Sequence, residues 1–66
     1  MSGLGELIKS KRTELGFSQE YFARLVGVSR FAVIAWENGQ RKPHLANCRE
    51  IARIFGVETK EITKYL

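Results

Sequence analysis

The sequence of 66 residues contains one cysteine, one proline, one histidine and no aspartate. Each scarcity removes a class of protein. The lone Cys48 rules out an internal disulfide, and with His44 as the sole imidazole it leaves too few ligands for a structural zinc site. The same two residues, with no aspartate and no glycine-rich loop to cradle a phosphate, form no catalytic constellation. An enzyme is therefore not expected, and no cofactor or small-molecule ligand is implied. No apolar run reaches the length of a membrane span, and the N-terminus lacks the apolar core of a signal peptide. These absences predict a soluble, cytoplasmic protein in a reducing compartment. Residues 1–66 read as a single domain with a small core, which must rely on good helix packing in place of crosslinks. Cys48 falls on an apolar position of a helical pattern and is expected to be a small buried core residue.

What is present is positive charge. The formal net charge is +4, which favours polyanionic partners, nucleic acid first among them. The charge is uneven. Residues 1–42 carry seven Lys/Arg against four Glu, whereas residues 43–66 carry four against three.

The chain reads as short helical patterns cut by glycine and one proline. Leu4, Leu7, Ile8 and Leu15 recur at helical spacing, with Gly16 placed to close the helix. Ser18 stands where an N-cap belongs, and Glu20 in the next turn suits the helix dipole. Phe22, Leu25 and Val26 form the apolar stripe of a short second helix, which Gly27 stops. Ser29 is the next N-cap. Ala32, Val33 and Trp36 give a third helix, from about Ser29 to Asn38, its inward face, and Asn38-Gly39 tolerates the left-handed geometry that ends it. A basic loop from Gln40 to His44 contains Pro43. Leu45, Cys48, Ile51, Ala52 and Phe55 mark a fourth helix closed by Gly56, and Ile62, Tyr65 and Leu66 a short fifth. Nothing alternates as a strand would. The expected fold is all-α, five short helices in a compact bundle.

The segment from Gln19 to Asn38 has the makings of a helix-turn-helix. Two helices meeting at a steep angle exclude a large side chain at their closest contact, and Ala23 is small enough. Four residues later the tight turn needs positive φ, which Gly27 supplies. Phe22, Val26, Val28, Val33 and Trp36 then fall on the sides that close over a core.

With these residues in place the sequence resembles the lambda-repressor-like, or Cro/repressor (xenobiotic-response-element), helix-turn-helix family. The resemblance runs from Leu7 to Ile62. It is carried by Lys11-Arg12, Leu15-Gly16, Ser18-Gln19-Glu20, Ala23, Val26-Gly27-Val28-Ser29, Trp36-Glu37-Asn38-Gly39, Pro43 and the run from Ile51 to Val57. It implies five helices, a helix-turn-helix made by the second and third, and homodimers on palindromic double-stranded DNA operators.

On that resemblance Gln19 faces the DNA backbone together with the amides of its helix N-terminus; the alternative is a solvated first-turn residue. The outward side of the third helix presents Ser29, Arg30, Phe31, Ile34, Ala35 and Asn38. Arg30 is assigned to a base edge, because a guanidinium pairs bidentately with guanine O6 and N7, with a phosphate contact as the alternative. Phe31, Ile34 and Ala35 depart from the family, in which polar residues usually occupy this face. They either meet thymine methyl groups, form a protein-binding patch, or bury against a dimer partner. Arg41 and Lys42 are assigned to phosphates, as is Asn38. Lys11 and Lys9 add to the same field, and His44 is either near a phosphate or solvated. Resemblance pairs Arg12 with Glu37 in the interior as a structural ion pair; otherwise they are two solvated charges. Tyr65 and Leu66 either cover the core or form a twofold dimer contact.

Two functions are weighed. One is a transcription regulator of phage, plasmid or restriction-controller type that acts by operator occupancy. The other is a helix-turn-helix protein-interaction module or antitoxin that uses the Phe31, Ile34 and Ala35 face.

Overall fold

A computed structural model describes residues 3–66. They form α1 (Leu4–Glu14), α2 (Gln19–Val26), α3 (Arg30–Asn38), α4 (Leu45–Phe55) and α5 (Lys60–Thr63), with no strand among them. The helix starts follow local chemistry. Ser18 Oγ accepts from the Tyr21 amide, a first-turn N–H with no partner within the helix, and Ser29 accepts from the Ala32 amide through both its Oγ and its backbone carbonyl. At the turn of the helix-turn-helix, Gly27 takes φ 92°. Its amide and that of Val28 both donate to the Ala23 carbonyl, at 2.8 and 2.9 Å, which closes α2 and turns the chain into α3.

The core is one cluster drawn from every helix. Ile8, Phe22, Val33, Cys48, Ile51 and Ile62 are fully enclosed. Phe55 of α4 stacks on Phe22 of α2, with ring centroids 5.3 Å apart and planes 10° from parallel. Around this cluster α3 packs against both α1 and α2, while α4 packs against α2 and α5. The helix that ends the motif is thus held from two sides.

Three apolar residues do not lie where the sequence pattern puts them. Leu15 is the α1 C-cap and is 47% exposed. The inward face of α1 is Leu4, Ile8 and Arg12, spaced by four, and the third place in that stripe is charged. In α2 the buried set is Phe22, Ala23 and Val26, while Leu25 turns outward. The approach of α3 decides this, since it requires the small Ala23 on the inside. Leu45 opens α4 one turn short of the first buried position, Cys48, and stays exposed.

Candidate nucleic-acid interface

One side of α3 belongs to the interior. Val33 and Trp36 are buried, and Glu37 meets Arg12 across the gap between α3 and α1. Arg12 Nε donates to Glu37 Oε2 at 2.6 Å and Nη2 to Oε1 at 3.1 Å, so the guanidinium engages both carboxylate oxygens. The third contact, Arg12 Nη1 to the Phe17 carbonyl at 2.7 Å, ties the same group to the α1–α2 turn. The two side chains are 9% and 3% exposed.

Gln19 joins this network. Its Nε2 donates to Glu37 Oε1 at 3.0 Å. One of the two N–H groups of the side-chain amide is therefore engaged within the protein, where the first turn of α2 meets the Arg12–Glu37 pair. The second N–H, the side-chain oxygen and the backbone amides opening α2 are not taken up by that bond.

The opposite side of α3 is open. Ser29, Arg30, Phe31 and Asn38 are exposed, Ile34 and Ala35 half-buried. The Ser29 oxygen is engaged as the cap, which leaves its hydroxyl hydrogen free to donate. Phe31 is 70% exposed, the most exposed large apolar side chain among the described residues. The Arg30 guanidinium carbon stands 5.3 Å from the centre of the Phe31 ring, within cation–π range.

Three more predicted residues come together beside the end of α3. Asn38, Arg41 and Lys42 line a cleft of about 340 Å³ whose far wall is the N-terminus of α1, from Gly3 to Glu6. Lys42 Nζ donates to the Tyr65 carbonyl at 3.3 Å, fixing the loop to the C-terminal segment. Tyr65 is half-buried against the core, and Leu66 is exposed. His44 is exposed at the N-cap of α4 and makes no side-chain cap bond.

Lys11 does not join this group. It lies 4.0 Å from Glu14 and lines a second cleft with Leu7, Phe55, Val57 and Glu61, in which no residue of α2 or α3 takes part. This sets it apart from the loop cations: Arg12, one position on, turns inward to Glu37, and Lys11 falls on the side of α1 that meets α5.

Ion pairing sorts the remaining charge. Arg24, Arg53, Lys60 and Lys64 each lie within 4 Å of a glutamate close in sequence. Among the described residues Arg30, Arg41 and Lys42 have no such partner, nor do the exposed Lys9 and Arg49. Three of these five unpaired cations thus lie on α3 and the loop that leaves it, where they concentrate positive potential.

One positioning residue carries no chemical signal in the sequence. A Cβ built on Gly5 would stand 2.5 Å from the Trp36 carbonyl oxygen and 2.8 Å from that of Glu37. Glycine at this point lets the backbone of α1 touch the end of α3. An isolated glycine inside a helical pattern is the only hint of such a close approach.

The family model described as helix-turn-helix matches residues 8–62. The chain belongs to the Cro/repressor-type helix-turn-helix family. A helix-turn-helix-type transcriptional regulator of Methanothermobacter thermautotrophicus is 46% identical over 52 residues, 79% of this chain and 75% of that one. The SPbeta prophage-derived regulator YonR of Bacillus subtilis is 33% identical over 60 residues, covering 91% of this chain and 56% of the longer YonR. Among solved structures, the restriction-modification controller protein C.AhdI from Aeromonas hydrophila superposes with a TM-score of 0.80 at 36% identity, over 89% of each chain. The P22 c2 repressor, solved in complex with a synthetic operator, shares the fold with a TM-score of 0.87 at 24% identity, over 94% of each. The described residues of this helix-turn-helix regulator have the five-helix, strand-free fold of the P22 c2 repressor domain. None of its described helices is long and apolar enough to cross a membrane.

Proposed function

We propose that this regulator occupies palindromic double-stranded DNA as a homodimer, with α3 in the major groove. The observation that carries the proposal is the division of α3. Glu37, Val33 and Trp36 hold it from inside, and Arg30 and Phe31 stand exposed at its N-terminal end. In helix-turn-helix proteins that end of the second helix reaches base edges. Arg30 takes guanine through its O6 and N7, and Phe31 packs on a methyl group, flanked by the Ser29 hydroxyl and the apolar edges of Ile34 and Ala35. Arg41, Lys42, Asn38 and the amides opening α2 contact phosphates on either side of the groove. Tyr65 and the exposed Leu66 provide the twofold contact. Dimerisation is needed because one module of this size buries too little DNA surface for tight, selective binding, whereas two half-sites a helical turn apart combine their affinities. Regulation then follows from occupancy of the operator by a cytoplasmic protein.

The test is selection of bound duplexes from a random pool, followed by a salt titration on the enriched sequence. A palindromic site and a steep salt slope are expected. In that assay Arg30→Ala relaxes preference at one base pair per half-site, whereas an equal loss on all sequences would reassign Arg30 to the backbone.

The exposure of Phe31 favours one rival, a protein-interaction module or antitoxin in which this ring meets a protein. No enrichment and no retention on DNA at low salt would remove the regulator and favour the protein-interaction module.

A further inference from the structure

We infer that Arg30 and Phe31 act as one reading unit, specific for a 5-methylpyrimidine followed by guanine on the same strand. The methyl group is the shared chemistry, and thymine and 5-methylcytosine are its two sources in DNA. The inference rests on the proposed placement of α3 in the major groove and adds to it the identity of one base step.

The two side chains are neighbours at the first turn of α3, whose start is pinned by the Ser29 cap. The Arg30 guanidinium lies 5.3 Å from the centre of the Phe31 ring. That contact restricts the guanidinium to one side of the ring, and no carboxylate competes for it among the described residues. A planar fork held this way keeps its N–H edge for guanine O6 and N7. Successive bases of one strand rise about 3.4 Å. Two groups in mutual contact at 5.3 Å can span adjacent bases, and the inferred unit takes the guanine with Arg30 and the C5 substituent of the pyrimidine on its 5′ side with Phe31.

The Phe31 ring has no hydrogen-bonding atom. The single major-groove feature it can recognise is apolar, and the methyl on C5 of a pyrimidine is the one such feature the groove offers. Thymine carries that methyl, unmodified cytosine does not, and 5-methylcytosine does. Cytosine bases are otherwise distinguished by their N4 amino group, which an aspartate or glutamate would accept. The first turn of α3 has no acidic residue. The one acid on the helix, Glu37, is turned inward and bonded to Arg12 and Gln19. With the N4 donor left unread, the methyl group alone decides.

The experiment uses the enriched operator duplex with both half-sites changed together, and reads affinity by fluorescence anisotropy. Four pyrimidines are placed 5′ to the contacted guanine: thymine, deoxyuridine, cytosine and 5-methylcytosine. Thymine against deoxyuridine, and 5-methylcytosine against cytosine, differ by the methyl alone. Each methylated duplex is expected to bind about fifteenfold more tightly than its unmethylated counterpart, the product of about fourfold for one methyl group buried at each of the two half-sites. Phe31→Ala should abolish both differences and, by releasing the guanidinium, weaken the guanine preference without removing it. Because Phe31 is exposed, its thermal melt should match the parent.

Equal binding of thymine and deoxyuridine duplexes by the parent would overturn the inference. So would an enriched site without any 5-methylpyrimidine–guanine step. Both results leave the proposed operator binding standing, since the palindrome and the salt slope survive them. Failure to enrich any sequence would remove the two together.

Discussion

Replacing Glu37 with alanine should damage this protein far more than its place on α3 suggests. The carboxylate accepts from Arg12 Nε, Arg12 Nη2 and Gln19 Nε2. Removing it leaves a guanidinium whose side chain is 9% exposed, with the Phe17 carbonyl as its remaining partner. Breaking a buried pair from one side typically costs about 3–5 kcal/mol, because the surviving charge stays desolvated. A chain of this length is stable by only about 3–10 kcal/mol in total. At about 4–8 °C per kcal/mol for a small domain, the melting temperature of Glu37→Ala should fall by at least about 12 °C. Thermal denaturation followed by circular dichroism measures this directly. Should the variant fail to fold at all, the double variant Arg12→Met/Glu37→Leu separates the causes. Removing both charges strands neither, and well-packed apolar replacements of buried pairs are often neutral. The double variant should therefore recover most of the lost stability. Glu37→Ala melting within about 2 °C of the parent would refute the reasoning. A double variant no better than the single one would show that packing, not a stranded charge, sets the loss.

Three further outcomes follow from other parts of the molecule. Gly5→Ala would ordinarily stabilise a helix by about 1 kcal/mol, yet here it should lower the urea midpoint, because the new methyl falls on the backbone oxygens of Trp36 and Glu37. A raised midpoint would remove the close approach of α1 to α3. Cys48 is fully enclosed, its Sγ 3.7 Å from the Pro43 carbonyl, and burial pushes its thiol pKa up, so the thiolate is scarce at neutral pH. It should react with a thiol reagent only as fast as the protein unfolds, and prompt modification of the native protein would contradict its burial. Arg41→Ala should leave the melt unchanged and reduce the salt slope of DNA binding by about one unit; an unchanged slope would remove Arg41 from the phosphate contacts.

What the sequence could disclose was whatever depends on near neighbours. The caps at Ser18 and Ser29 and the turn at Gly27 are chemistry within three or four residues, and the helices begin and end there. The five-helix order followed from them. On α2 the sequence pattern misplaces one residue, Leu25, among an otherwise correct inward set of Phe22, Ala23 and Val26. Leu25 and Ala23 both suit a buried place, and only the arrival of α3 favours the smaller one. The apolar spacing of α1 points to Leu15, which lies beyond the last turn in contact with the core, because the buried place before it is held by the charged Arg12. Its partner is 25 positions away, and no local pattern indicates such a contact. Gln19 shows the same limit. Its position at the helix start was evident, but its hydrogen bond to Glu37 exists only once α1, α2 and α3 have met.

This limit bears on how α3 should be dissected. Nine residues carry two sets of contacts, one inward through Val33, Trp36 and Glu37 and one outward through Arg30 and Phe31. Loss of DNA binding after a change at Glu37 would not identify a base contact, because α3 would lose its hold on α1 and α2 first. Gln19 stands on the boundary, since its side-chain amide bonds into the inner network while the phosphate contact proposed for the start of α2 falls to the backbone beside it. A substitution on α3 therefore reports on recognition only when the melt is unchanged. Arg30 and Phe31 meet that condition: both are exposed and neither bonds to the core. Their proximity then makes their effects non-additive. Removing Phe31 frees the guanidinium as well as deleting the proposed methyl contact, so a double-mutant cycle between the two is needed to apportion the reading inferred for one base step.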